Sequence, residues 1–339
     1  MPLASRRRSA PTSPVTGPAD TLYIGVDEAG YGPNIGPLVV SSTAFRGPAV
    51  LDSLDWWKVL SKTVCRSGKA KTKFVVDDSK AVLASATGRA ALDYSVGSML
   101  CLAACPHPRL KDLVTFLAPV DAEHLSTEHW YSESGLGADD DADPWKGADH
   151  ARFQDGMAHA TLSFDAPMIR VLFPGMFNDS LGRLPTKADV ECELILSILR
   201  QRLDSLTDDC KQVIITVDRL GGRRYYREII ETLAVDAFVL TIEERVELSA
   251  YRFSWEGRDV DIRFRVQGDS HSLPVAAASM IAKYVRERCM DSFNEFWSRQ
   301  VPGIQRTAGY PGDSKRFLAQ VEHLFDDLGI SMNSFWRVR

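Results

Sequence analysis

The sequence predicts an α/β protein built on an open sheet, and three observations carry that prediction. Two apolar runs, 22–26 and 212–217, have the length of buried strands, and each ends on a carboxylate, Asp27 and Asp218. Elsewhere the apolar spacing switches to the helical period, most clearly over 187–206, where Val190, Leu194, Ile198 and Leu199 share one face. A further strand-like run, 259–266, leads through Gly268-Asp269-Ser270 into a helix with Ala276-Ala277-Ala278, small residues that allow close packing on a sheet. In an open sheet, groups at one end of neighbouring strands converge in space however far apart they stand in sequence.

Residues 1–20 are rich in Arg, Ser, Pro and Thr and lack an apolar stretch, which predicts a disordered tail; Arg6-Arg7-Arg8 is also compatible with a polyanion contact or a targeting peptide. The first strand, a glycine-rich turn and a second strand at 38–45 follow. Positions 51–64, with Trp56 and Trp57, have helical spacing and precede a basic loop carrying Arg66, Lys69, Lys71 and Lys73. Phe74-Val75-Val76 ends in Asp77-Asp78-Ser79-Lys80, where Asp78 or Ser79 can cap a helix running through Ala104. Lys80 would then stand near a helix N-terminus, a natural phosphate position, although a plain cap explains the same spacing. From about 118 to 165 the pattern weakens, and Asp139 to Asp143 is a charge run typical of solvated loops. Alternation returns at 168–173, and the long helix 187–206 and the strand ending at Asp218 follow. Gly221-Gly222-Arg223-Arg224 then leads into a helix at 225–233. Strands are expected at 237–242, 246–253 and 259–266, then the small-residue helix with Lys283, Arg286 and Arg288. The chain continues through Gly309-Tyr310-Pro311 and a helix near 316–328 to Ser334-Phe335.

At 339 residues, 45% hydrophobic and 25% charged, the chain can bury a sizeable core in one large or two ordinary domains. No apolar run approaches the roughly 20 residues that span a bilayer, so no membrane partner is expected. Six cysteines without a CxxC pair predict reduced thiols in a cytoplasmic protein. The spacings of His124, His129, His150 and His159 match no metal signature. The net charge of −5 gives no global pull toward nucleic acid. Such binding would need a local basic face, for which Lys69, Lys71, Lys73, Lys80, Arg223, Arg224, Lys283 and Arg286 are the candidates.

Asp27-Glu28-Ala29-Gly30-Tyr31-Gly32-Pro33 concentrates two carboxylates and two glycines at a strand end. Adjacent strand residues point to opposite faces, so Asp27 and Glu28 are expected to share a site only if the chain turns there. Two carboxylates beside a glycine loop suit a divalent cation facing a phosphate; an acidic turn between two strands is the plainer alternative. Asp27, Glu28, Asp218 and Asp269 together would repel one another unless a cation compensates. Hard oxygen ligands point to Mg²⁺ or Mn²⁺. In two-metal phosphodiester hydrolysis one ion prepares the attacking water and the other stabilises the leaving oxygen.

Gly25 to Pro37, read as Gly-x-Asp-Glu-Ala-Gly-x-Gly-Pro-x-x-Gly-Pro, resembles the start of the type 2 ribonucleases H, the ribonuclease HII/HIII group. Asp78-Ser79-Lys80, Asp218, Gly268-Asp269-Ser270 with Ala277 to Lys283, Gly309-Tyr310-Pro311 and Ser334-Phe335 resemble that family too, in the same order. The resemblance implies a ribonuclease H-like fold, a mixed central sheet flanked by helices, over 21–339, with insertions near 118–165 and 240–262. It implies a monomer that uses Mg²⁺ or Mn²⁺ to hydrolyse the RNA strand of RNA/DNA hybrids or to nick at ribonucleotides in duplex DNA. Asp27, Glu28, Asp218 and Asp269 would be the catalytic and metal-binding set. Gly30, Tyr31, Gly32, Ser79, Lys80, Lys283 and Tyr310 would bind substrate, the glycine loop through ribose 2′-OH groups and Tyr310 against the sugar at the RNA–DNA junction. Tyr31 stands where ribonuclease HII usually has arginine, and Arg219-Leu220-Gly221-Gly222 is not the usual continuation after the strand-terminal Asp. An inactive nucleic-acid-binding protein of the same fold, and a DNA-junction nuclease of the wider superfamily, are the alternative readings.

Overall fold

The computed structural model describes residues 17–66, 73–105, 109–131, 145 and 147–338. Arg6 to Arg8, Lys69, Lys71 and the charge run Asp139 to Asp143 lie outside the described residues. The strands are β1 (Thr21–Ala29), β2 (Leu38–Gly47), β3 (Val64–Cys65), β4 (Phe74–Val75), β5 (Ser163–Leu172), β6 (Gln212–Asp218), β7 (Leu240–Glu244), β8 (Leu248–Trp255) and β9 (Arg258–Arg265). Seven of them form a mixed sheet in the order β5-β2-β1-β6-β9-β8-β7, and β3 and β4 pair separately. The sheet is antiparallel from β5 through β2 to β1, parallel across β1, β6 and β9, and antiparallel again out to β7. This is the mixed α/β architecture that the sequence implies.

β1 shows how the two layers arise. Tyr23 and Ala29 enter one buried cluster, which includes the apolar face of the 28-residue helix Leu273–Gln300. Leu22, Ile24 and Val26 enter a second cluster with the helix Lys187–Asp204. Strand alternation sends odd and even residues to opposite faces, and each face is covered by its own helix. Gly25 lies where the long helix crosses β1: a Cβ there would stand 2.1 Å from the Pro274 carbonyl carbon, so only glycine permits the approach. Thr43 on β2 donates to the Pro274 carbonyl at 2.6 Å and fixes the same crossing.

Three local expectations change. The helix read over 51–64 becomes a short 3₁₀ turn, Ala49–Ser53, and a short helix, Trp56–Val59, because Asp55 accepts from the N–H groups of Trp57 and Lys58 and restarts the chain. The helix read from Lys80 to Ala104 is two helices, Ser79–Leu83 and Gly88–Leu102. The weakly patterned stretch carries helices Ala122–Leu125 and His150–Ala158, tied to β5 through buried Asp121, which takes a bidentate bond from Arg170 and the N–H of Val171. Among the described residues no helix is long and apolar enough to cross a membrane.

Candidate active site

β1 and β6 run parallel, so Asp27 and Asp218 arrive at the same end of adjacent strands. Carboxylate oxygens of Asp27, Glu28 and Asp218 lie within 4.8 Å of one another. The turn thought necessary between Asp27 and Glu28 is absent, since β1 continues through Ala29. The two side chains leave opposite faces of the strand end and converge around it, with the Glu28 N–H donating to Asp27 at 2.7 Å. Each is met by the helix that covers its face: Ser279 of Leu273–Gln300 stands beside Asp27, and Glu191 of Lys187–Asp204 beside Glu28.

Glu191 is a site residue that the sequence reading missed. It stands three, four and seven residues before Leu194, Ile195 and Ile198, on the apolar face of its helix, and is buried at 2% exposure; an acid on an apolar stripe is the signal that could have found it. Burial, and then Glu28, push its carboxyl up to about 9. Burial, followed by Glu28 and Asp218, holds Asp27 well above the usual carboxylate range. Asp218 rises to about 6 through burial and the neighbouring Glu28 and Asp269, against the N–H of Gly268 that it accepts at 2.7 Å. Asp269 falls outside the 4.8 Å trio. It opens the short helix Gly268–His271 and is raised by burial and by Asp78, with Lys80 opposing. It therefore bridges the trio and the Asp77 to Lys80 turn. An all-carboxylate set under mutual repulsion fits a hard divalent cation, which would remove that repulsion.

The glycine loop is held from beneath by two buried arginines that the sequence did not single out in this role. Arg337 donates through Nη2 to the Gly30 carbonyl at 2.6 Å and to the Pro33 carbonyl, and its own N–H donates to Asn34. Arg286 donates to the Ala308 carbonyl at 3.0 Å and is 1% exposed, so it does not belong to a surface basic face. Gly30 has φ +96°, and a Cβ there would stand 2.5 Å from the Pro37 carbonyl oxygen. Gly32 differs: a Cβ would meet only the Tyr310 ring, at 3.8 Å. The Gly309 carbonyl accepts from the N–H groups of Asn34 and Ile35, which seats the half-exposed Tyr310 beside Gly32. Among the described residues the N–H groups of Tyr31 and Gly32 make no hydrogen bond, whereas the Gly30 carbonyl is taken. The Tyr31 hydroxyl is raised by burial and by the nearby Glu191 and Glu28.

The remaining expected substrate contacts divide. Lys80 is exposed at the start of its helix, and Ser79 is buried against Ser279 at 3.1 Å. Lys283 is tied to Glu287 at 2.6 Å, Arg223 to Asp189 at 2.6 Å, and Lys73 donates to the Ser61 carbonyl at 2.5 Å. Of the six candidates described, Lys80 and Arg224 keep exposed charges without an ion pair among the described residues, so these six do not form one basic face.

No protein-family model matches the chain, and no curated protein matches it. Among solved structures, ribonuclease HII of Archaeoglobus fulgidus, in a complex with PCNA, is 17% identical with a TM-score of 0.42, covering 94% of each chain. Ribonuclease H2 of Pyrococcus horikoshii OT3 is 16% identical with a TM-score of 0.43, covering 93% of this chain and 92% of that one. A Bst ribonuclease HIII in complex with Mn²⁺ is 15% identical with a TM-score of 0.40, covering 94% of this chain and 67% of that one. Over most of its length the chain is similar to type 2 ribonucleases H, from which it diverges widely in sequence.

Proposed function

We propose that the chain is a metal-dependent endoribonuclease that hydrolyses the RNA strand of RNA/DNA hybrids or nicks at ribonucleotides embedded in duplex DNA. The observation that carries this reading is the trio Asp27, Glu28 and Asp218, gathered within 4.8 Å at the end of parallel strands beside a rigid glycine loop. Asp27, Glu28 and Asp218 would hold Mg²⁺ or Mn²⁺, with Asp269 at the margin. The bound ion would supply a Lewis acid for the phosphodiester and the attacking water.

The chain's own groups provide the rest. The unbonded N–H groups of Tyr31 and Gly32, in the loop beside Tyr310, would read the 2′-OH, the one group that separates RNA from DNA at the cleaved position. A loop pinned by Arg337 and Arg286 cannot relax toward a deoxyribose, which would leave those donors unmatched at a cost of about 1–3 kcal/mol. Lys80 offers a charge to the phosphate backbone. Tyr31 stands near Glu191 and leaves sugar recognition to the main chain, which accounts for tyrosine in place of the usual arginine.

The test is cleavage of four end-labelled substrates, an all-DNA duplex, DNA with one ribonucleotide, an RNA/DNA hybrid and a branched all-DNA junction, with Mg²⁺ or Mn²⁺ and with EDTA. Metal-dependent cuts confined to the ribonucleotide-containing duplexes, lost in Asp27→Asn, support the reading. Tight binding without cutting would leave the inactive binding protein, and cutting of branched all-DNA substrates would leave the junction nuclease.

A further inference from the structure

A cavity of about 100 Å³ opens on the sheet face that carries Asp27 and Asp218. Its polar lining comes from Thr216 on β6, Arg263 and Arg265 on β9, His271 and Ser272 at the entry to the long helix, and Asp52. Thr216 stands two residues before Asp218, and Arg265 is the direct register partner of Asp218 across the parallel β6–β9 pair. Parallel partners point to the same face, so the cavity adjoins the acid site.

The donors and acceptors in it do not balance. Asp52 is the one acid in the lining, and Arg263 takes both its oxygens, at 2.6 and 2.9 Å. Among the described residues the side chains of Thr216, Arg265, His271 and Ser272 make no hydrogen bond. Arg265 has no ion pair there. His271 is exposed at the edge of the cavity. Arg66, outside the lining, is already matched by Asp77 at 3.0 Å and the Ser270 carbonyl at 2.7 Å. Arg265 is thus a half-buried guanidinium without an acceptor among the described residues, and a bound anion would supply one.

We infer that this cavity is a second, metal-independent anion site, in which Arg265, His271, Thr216 and Ser272 bind a phosphate group next to the acid cluster. A guanidinium, an imidazole and two hydroxyls form a donor set suited to phosphate oxygens. On the proposed function, which this inference builds on, the occupant is a backbone phosphodiester of the duplex away from the cleaved bond. Free phosphate shares the same chemistry and is the other source.

The experiment measures affinity for a one-ribonucleotide duplex in EDTA, across a salt series, for the wild type and for Arg265→Gln. Arg265 is half-buried without a partner among the described residues, so the variant is expected to fold, and circular dichroism checks this. Thr216→Val is the second variant, should Arg265→Gln misfold. A backbone phosphate in the cavity predicts about tenfold weaker binding, from loss of a charge-assisted contact. It also predicts a plot of log K against log[salt] shallower by roughly one unit. If duplex affinity holds but millimolar inorganic phosphate raises the melting temperature of the wild type and not of the variant, the site stands with free phosphate as its source. Unchanged duplex affinity and slope, together with no phosphate effect, would overturn the inference. Nicking by the wild type keeps the two readings apart. If the wild type nicks while Arg265→Gln binds normally and phosphate has no effect, the inference alone fails. If the variant loses binding while the wild type never nicks, the nuclease reading alone fails.

Discussion

Asp218→Asn should stabilise the metal-free protein and destabilise it relative to the wild type once metal is present. In the fold the Asp218 carboxyl is pushed up to about 6 by burial and by Glu28 and Asp269, against roughly 3.9 in an unfolded chain. Two units correspond to about 3 kcal/mol of strain on the ionised form at pH 8. The Asn side chain removes the charge and still accepts from the Gly268 N–H at 2.7 Å, although more weakly than a carboxylate. Allowing for that loss leaves a net gain of roughly 1–2 kcal/mol, or a melting temperature higher by about 1–3 °C in EDTA. With Mn²⁺ at 100 times its dissociation constant the wild type gains about 2.7 kcal/mol, and the variant, missing one ligand, gains little. The two melting curves should therefore exchange order between EDTA and Mn²⁺, as read by calorimetry on both proteins in both buffers. A variant less stable in EDTA that still gains the full wild-type increment from Mn²⁺ would refute both the repulsion and the metal site.

Stability of the metal-free protein should fall as pH rises. A carboxyl raised in the fold favours folding most below its unfolded value near 4, and that advantage is lost through about 6 for Asp218 and about 9 for Glu191, as urea midpoints at pH 5, 7 and 9 would show. Gly30→Ala should abolish nicking or folding, because its Cβ would meet the Pro37 carbonyl at 2.5 Å, whereas Gly32→Ala should fold normally; thermal melts and nicking rates separate them. Arg337→Met should cost about 2 kcal/mol by urea unfolding, since it orphans the Gly30 and Pro33 carbonyls. An unchanged midpoint would show that the loop holds itself.

The sequence by itself determined the α/β class, the strands that end on Asp27 and Asp218, and the close-packing helix from Leu273; it grouped Asp27, Glu28, Asp218 and Asp269, of which the structure gathers the first three. Those features rest on periodicity and on residue types at strand ends, which are local properties of the chain. What only the tertiary structure decided depends on which faces meet. The helix over Lys187–Asp204 carries Glu191 to Glu28, because even residues of β1 face that helix. Arg286 reads as a surface cation in one dimension, yet it is buried beneath the glycine loop, because carbonyls of Ile35 and Ala308 converge on it from elsewhere. Arg337 reaches Gly30 across 307 positions. The basic face was lost on both grounds: Lys283 pairs with Glu287 four residues on in its own helix, a local contact, whereas Arg223 meets Asp189 only once the helix and the loop are placed. Side-chain charge is written in the sequence, but whether that charge meets water, an acid or a buried carbonyl is settled by packing.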